Sequence, residues 1–242
     1  MVKLIQMLAV SLILVCASGA VRAGDYEDGD AAFRRGDYAK ASKLLSPLAQ
    51  RGLAGAQNYL GYMYLQGHGV AQNYKDAVRW YGLAADQGLA QAQDDLGVMY
   101  GLGVGIDQDY KEAVKWERLS ANQGFVGAQW FLGGLYSDGK GIGQDYKEAM
   151  RWYRLAAVQR LVAAQHDLGV MYGLGHGVVQ NYMYAYMWYN LAAAASLSDD
   201  ALNVNDAASL RGLVSKDMTS AQIAQAQEMA RKCQESNFKN CD

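Results

Sequence analysis

The sequence predicts an all-α fold, a right-handed α-solenoid of helix-turn-helix repeats. Three observations carry this. The segments AQNYLGYMY, AQDDLGVMY, AQWFLGGLY and AQHDLGVMY begin at Ala56, Ala92, Ala128 and Ala164, a constant step of 36 residues. A second pattern runs in phase with the first: Tyr74, Tyr110, Tyr146 and Tyr182, then Ala77, Ala113, Ala149 and Ala185, then Trp80, Trp116, Trp152 and Trp188. Most of the 27 glycines fall at the same few repeat positions, so they punctuate helices and do not signal disorder. A fixed period of this size marks stacked supersecondary units, none of which can bury its apolar face alone.

Each element can be justified from one repeat. Over Ala90–Leu102, Ala92, Leu96, Met99 and Tyr100 recur at spacings of three and four, which is one face of a helix. Gly97 lies inside that stripe, as Gly61, Gly133 and Gly169 do in the other repeats. A glycine there costs about 1 kcal/mol relative to alanine, and a shared cost implies a shared gain, the close approach of a neighbouring helix. Gly103-x-Gly105 then ends the helix, since glycine accepts the left-handed cap conformation. The second helix opens on Asp109 with Glu112 three residues on, a capping-box spacing. Asn73/Asp76 and Asp145/Glu148 repeat it, and Asn181 departs from it with Tyr184. The aromatic stripe of this second helix is expected in the core.

The period extends upstream, with Tyr38 and Ala41 in register and Gly52 36 residues before Gly88. Residues 24–52 are therefore expected to form an atypical N-terminal helix pair, in which Pro47 kinks or ends the second helix. Residues 53–195 hold the four repeats. Residues 196–242 are expected to form a C-terminal helical cap, with SLSDDALNVND as a linker or turn, then helices near Ala207–Lys216 and Ser220–Cys233 with Thr219 as N-cap.

Residues 1–23 read as a secretory signal: Lys3 at the start, an apolar run too short to span a bilayer, and Val21-Arg22-Ala23 before the cut. Cleavage is expected after Ala23, with Ala20 as the alternative. Cys16 is not read as a lipidation site, because Val15 is too large for the position before it. The expected location is periplasmic or secreted, with no stable membrane insertion once the signal is removed. Losing Lys3 and Arg22 and no acid leaves 20 basic and 24 acidic residues, a balance of −4. That charge argues against a nucleic-acid partner. Cys233 and Cys241 remain, and in an oxidising compartment they read as a disulfide, the alternative being two free thiols.

The recurring A-x-A-Q-x-x-L-G-x-M-Y-x-x-G-x-G-V-x-Q-[DN]-Y-x-x-A-x-x-W-Y resembles the Sel-one-like repeat, a relative of the tetratricopeptide repeat, across about residues 30–195. The resemblance implies a right-handed superhelix that holds other proteins as an adaptor. Arg160 stands where other repeats have Gly52, Gly88 and Gly124, and Glu117 stands where they have a tyrosine. No repeat contains a cysteine, so the penicillin-directed activity linked to a cysteine-paired branch is not carried over.

Little in the chain suggests catalysis. There is no H-E-x-x-H, G-x-S-x-G or phosphate-binding loop, and His68 and His176 lie too far apart along a stack to share a metal. No cofactor or metal is expected, and the protein is read as non-enzymatic. Positions that vary between repeats while their buried neighbours stay constant are the better guide. By analogy with tetratricopeptide repeats, Asn58, Asp94, Trp130 and His166, with Tyr62 and Val98, are expected to line a concave surface that binds a protein or peptide. Trp130 is its natural anchor, although it could equally fill a gap in the core. The rival reading is a cell-envelope enzyme or regulator acting on cell-wall material, for which Asp94, Asp95, His166 and Asp167 are the only candidates.

Overall fold

The computed structural model describes residues 24–194, 201–239 and 241. The expected signal at 1–23 lies outside them. Among the described residues there are twelve α-helices, one short 3-10 turn and no strand, an all-α helical-repeat fold. The chain divides into two compact units, one ending at Gln87 and one beginning at Gly88.

The first unit holds α1 (Asp25–Arg34), α2 (Tyr38–Gln50), α3 (Ala54–Gln66) and α4 (Tyr74–Asp86). Its core is Ala32, Ala41, Leu45, Leu48, Ala56, Leu60 and Met63, closed by Trp80. Pro47 does not end α2, which runs on to Gln50. The proline gives up only its own bond to the carbonyl four residues back, and the helix continues for three residues beyond it.

The second unit holds α5 (Ala90–Leu102), α6 (Tyr110–Asn122), α7 (Val126–Asp138), α8 (Tyr146–Ala157), α9 (Val162–Leu174), α10 (Tyr182–Ala193), α11 (Ala201–Val214) and α12 (Ser220–Glu235), with Ser215–Asp217 as a 3-10 turn. One core surrounds Trp152 and a second surrounds Trp188, and the latter takes in Ala207 and Ala230 of the last two helices. Residues 201–206, expected as linker, are helical and open α11. The polar composition that suggested a linker is compatible with a surface helix once Ala207 and Leu210 dock on the core.

Each punctuating residue has a visible task. Gly67, Gly103, Gly139 and Gly175 cap their helices in the left-handed conformation. Gly69, Gly141 and Gly177, each second in its pair, serve close approach: a Cβ on Gly141 would stand 2.2 Å from the Tyr110 carbonyl oxygen. Gly133 and Gly169 face the rings of Tyr153 and Tyr189, as Gly61 faces Tyr81 in the first unit. The glycine inside the helix is thus a packing requirement, as its recurrence predicts. Asn73, Asp109, Asp145 and Asn181 cap the second helices, each accepting from the amides two and three residues on. The reciprocal half of the box is not made at Asp109, since Glu112 turns instead to Lys115 at 2.9 Å. Thr219 and Gln222 form a complete capping box.

A buried glutamine ties the helices together. Gln129 donates to the Ala121 carbonyl and accepts from Gln159 at 2.8 Å. Gln57 does the same with Ala49 and Gln87 in the first unit. Trp80, Trp152 and Trp188 are buried as the periodic pattern predicts, but Tyr74 is exposed and not core. The tyrosines at that position serve instead as platforms. His68 stacks on Tyr38 at 4.2 Å and His176 on Tyr146 at 4.4 Å, each imidazole lying within its own unit. At the C-terminus Cys233 and Cys241 are joined in the structure, closing a span of eight residues past the end of α12.

Candidate functional site

The first helices of the three repeats in the second unit, α5, α7 and α9, place Asp94, Trp130 and His166 at equivalent positions. Trp130 is 37% exposed, so it is not a core residue. Its Nε1 donates to Asp167 Oδ2 at 2.7 Å, which fixes the indole on the surface. Asp167 Oδ1 lies 3.1 Å from His166 Nδ1, and His166 Nε2 lies 2.9 Å from Asp206 Oδ2 on α11. A chain of polar contacts therefore runs from α7 through α9 to α11. The imidazole pKa is raised, first by the bond to Asp167 and then by charge and the bond to Asp206, against the opposing effect of burial.

This arrangement limits the chemistry available. Both imidazole nitrogens face carboxylates, so each is already engaged by a partner within the protein. A general base needs a ring nitrogen within reach of substrate, and here both are turned to Asp167 and Asp206. His166 is better described as a clamp between helices.

Beside Trp130 lies a recess lined by Leu102, Tyr110, Phe131, Lys140 and Tyr153. Leu102 is 63% exposed at its edge. Lys140 is held by Asp138 at 2.8 Å and lies 5.8 Å from the Tyr110 ring. An aromatic wall with an exposed aliphatic rim can take a side chain from another protein, because aromatic area carries much of interface energy.

Asp94 belongs to a different cluster. It is half-buried with Asp95, and behind them Glu117 of α6 is 0% exposed. Glu117 occupies the place of Tyr153 and Tyr189, with its Oε1 2.5 Å from where a Cβ on Gly97 would stand. Neither of its oxygens has a hydrogen-bond donor. Burial, with Asp94 next, pushes its carboxyl up to about 11, so it holds a proton at neutral pH and can share it with Asp94. Burial raises Asp94 to about 6 and, with the Asp94 charge adding to it, Asp95 to about 7.

The candidates named from sequence therefore do not form one site. Asn58 is 7% exposed and joins the interior of the first unit, so it is not a surface contact; its amide position is sealed by the packing that leaves its Oδ1 without a partner. Tyr62 is exposed but lies edge-on against Phe33 at 5.4 Å, part of an aromatic group in the first unit. Val98 is half-buried. Trp130 and His166 are brought together through Asp167, and Asp94 goes with Glu117. Sequence reasoning missed two members. Glu117 was visible as an exception to the repeat, whereas Asp206 lay in a stretch expected to be linker.

Among the described residues no group of three His, Cys, Asp or Glu is placed to hold a metal ion, and no helix is long and apolar enough to cross a membrane. None of the curated proteins compared with the chain matches it. Among solved structures, a Sel1 repeat protein from Oxalobacter formigenes is 37% identical with TM-score 0.65, over 69% of each chain. The protein c5321, a protective antigen present in uropathogenic Escherichia coli strains and displaying an SLR fold, is 32% identical with TM-score 0.70. That alignment covers 95% of this chain and 52% of the antigen, so the chain spans about half the antigen's length. A Sel1 repeat protein from Klebsiella pneumoniae subsp. pneumoniae shares the fold at 20% identity and TM-score 0.51. The Sel1 repeat model matches residues 54–89, 90–125, 126–159 and 162–197, and with most of the chain so covered the protein belongs to the Sel1 repeat family.

Proposed function

We propose that this chain is an exported, non-catalytic scaffold that binds a protein or peptide on the face formed by the first helices of its repeats, with Trp130 as the anchor. Sel1 repeat proteins are in general protein-interaction scaffolds. The observation that carries the reading for this chain is the exposed indole of Trp130, held rigid by Asp167 beside an aromatic recess. A preorganised tryptophan loses little freedom on binding, which is the property of a hot spot. His166, held at both ring nitrogens by Asp167 and Asp206, fits a structural role between helices. Export rests on the signal-like residues 1–23, and the Cys233–Cys241 pair fits an oxidising compartment.

Two measurements test this. Trp130→Ala should weaken partner capture from envelope extract by about 2 kcal/mol or more while leaving the melting temperature nearly unchanged. Leu155→Ala, at an exposed position on α8, should leave capture intact. A loss of stability without a specific loss of capture would return Trp130 to a structural role. N-terminal sequencing of the exported protein should begin at Gly24; an uncut chain retained in the cytoplasm would sink the export reading.

A further inference from the structure

The carboxyl cluster on α5 and α6 has no structural explanation within the repeat. At the position of Glu117 the other three repeats place Tyr81, Tyr153 and Tyr189, whose rings lie against the glycine of the preceding helix. Tyrosine is therefore the side chain that the packing calls for. Glu117 presents two buried oxygens with no donor, against Gly97 and one helical turn from Asp94. A buried acceptor left without a partner is costly, and the cost is compounded by two further carboxylates. The charges that act on the three groups are one another's, with no lysine, arginine or histidine among them. A local rule broken in one repeat out of four, at a cost offset only by a proton that Glu117 can share with Asp94 and by no basic group, marks a place that a donor from outside can complete. Two of the three carboxyls, Asp94 and Asp95, are only half-buried and so can be reached. On the α7 side the backbone at Gly127 lies close against Asp94, a Cβ there standing 3.2 Å from Oδ1, so access to the cluster is from the half-buried side of the two aspartates.

We propose that Asp94, Asp95 and Glu117 form a socket for a cationic side chain, a lysine or arginine of the bound protein, with the two aspartates at the rim and Glu117 as the floor. This rests on the reading of that face as a partner surface and adds the partner's chemistry to it. The geometry favours an organic cation over a metal ion, because the three carboxyls are not grouped as ligands for one ion. An ammonium or guanidinium presents several donors spread over a larger volume, and so satisfies acceptors that a single ion cannot bridge. Binding is coupled to proton release. The free socket holds protons on Glu117 and, below about pH 6–7, on the aspartates. An entering cation stabilises the charged forms and expels them, so affinity rises with pH.

The test uses small probes and needs no identified partner. N-acetyl-lysine amide and N-acetyl-arginine amide are titrated into the protein lacking residues 1–23 at pH 8, with N-acetyl-norleucine amide as the neutral control. Backbone NMR shifts are followed at Asp94, Asp95, Gly97 and Gly127. The expected result is a weak, saturable shift centred on these residues with a cationic probe and none with norleucine. It should weaken by about tenfold or more between pH 8 and pH 5, one proton released being worth tenfold per pH unit. Asp94→Asn and Glu117→Tyr should each abolish it, the latter restoring the side chain that three repeats already carry. Leu155→Ala, at an exposed position on α8, should leave it unchanged. No saturable shift at pH 8, an equal shift with norleucine, or undiminished binding in Glu117→Tyr would overturn the socket and leave the Trp130 reading standing. Loss of partner capture in Glu117→Tyr together with lysine binding lost would support it further.

Discussion

The glycine inside the first helix of each repeat allows a matched experiment in which one methyl group has opposite effects at two positions. A Cβ on Gly61 would lie 2.6 Å from Cδ1 and 2.8 Å from Cε1 of Tyr81. Carbon atoms prefer about 3.5–4.0 Å, so the methyl group would intrude by roughly an ångström. Tyr81 is fully buried and its ring has nowhere to go. Overpacking of this kind costs about 1–3 kcal/mol, against roughly 1 kcal/mol gained by replacing a helical glycine with alanine. Gly61→Ala is therefore expected to destabilise the protein by up to about 2 kcal/mol. Gly82 lies in α4, half-buried, with no atom within 4 Å of its would-be Cβ. Gly82→Ala should stabilise by about 0.5–1 kcal/mol. The two variants should thus melt about 4–8 °C apart, taking about 2 kcal/mol as the difference between them. Thermal and guanidinium unfolding followed by circular dichroism measure both. If Gly61→Ala were stabilised as much as Gly82→Ala, the close-approach argument would be wrong for every repeat.

Glu117, Asp94 and Asp95 have raised pKa values in the folded state, so each binds protons more tightly when folded. Their contribution is greatest at low pH and is lost as pH rises, at up to about 1.4 kcal/mol per pH unit for each proton retained. Stability against denaturant should therefore fall from pH 5 to pH 8, and Glu117→Tyr should raise stability at pH 8 and flatten the dependence; a parent protein as stable at pH 8 as at pH 5 would contradict this. Arg160 sits at φ 69° where Gly52, Gly88 and Gly124 have φ 94°, 86° and 88°, and its guanidinium reaches Asn237 Oδ1 at 3.0 Å and Phe238. Arg160→Gly should relieve about 1 kcal/mol of backbone strain yet loosen the C-terminal segment, seen as faster amide exchange near Phe238 without a large drop in melting temperature. Thiol titration of unfolded, unreduced protein lacking residues 1–23 should find no free cysteine, and Cys233→Ser/Cys241→Ser should destabilise α12 by about 2–3 kcal/mol. Two reactive thiols in the parent protein would remove the premise.

What the sequence made legible was whatever recurs. Helix boundaries, the glycine caps, the N-caps and the aromatic core repeat four times, so pattern stands in for contacts. What it hid was whatever happens once. Asp206 completes the contact to His166 from a polar stretch whose helicity depends on docking against α10, and no local signal reports docking. Asn58 was expected at the surface because its position varies, yet variation marks freedom from one packing rule and not exposure to solvent. Glu117 was noticed as a departure from tyrosine, but its meaning required knowing that Asp94 and Asp95 lie on the helix it faces. Trp130, open between core and surface on sequence grounds, is settled by its exposure and its bond to Asp167.

The buried glutamines bear on how such a chain can change length. Gln129 takes its acceptor from the end of α6 and its donor from just past the end of α8, so two bonds of its amide link one helix pair to the next, as those of Gln57 do in the first unit. Gln165 repeats the outgoing bond to the Ala157 carbonyl. A duplication or deletion of a whole 36-residue stretch delivers one complete set of donors and acceptors and leaves no amide orphaned at the join. A change of any other length would strand a buried glutamine between helices that cannot answer it.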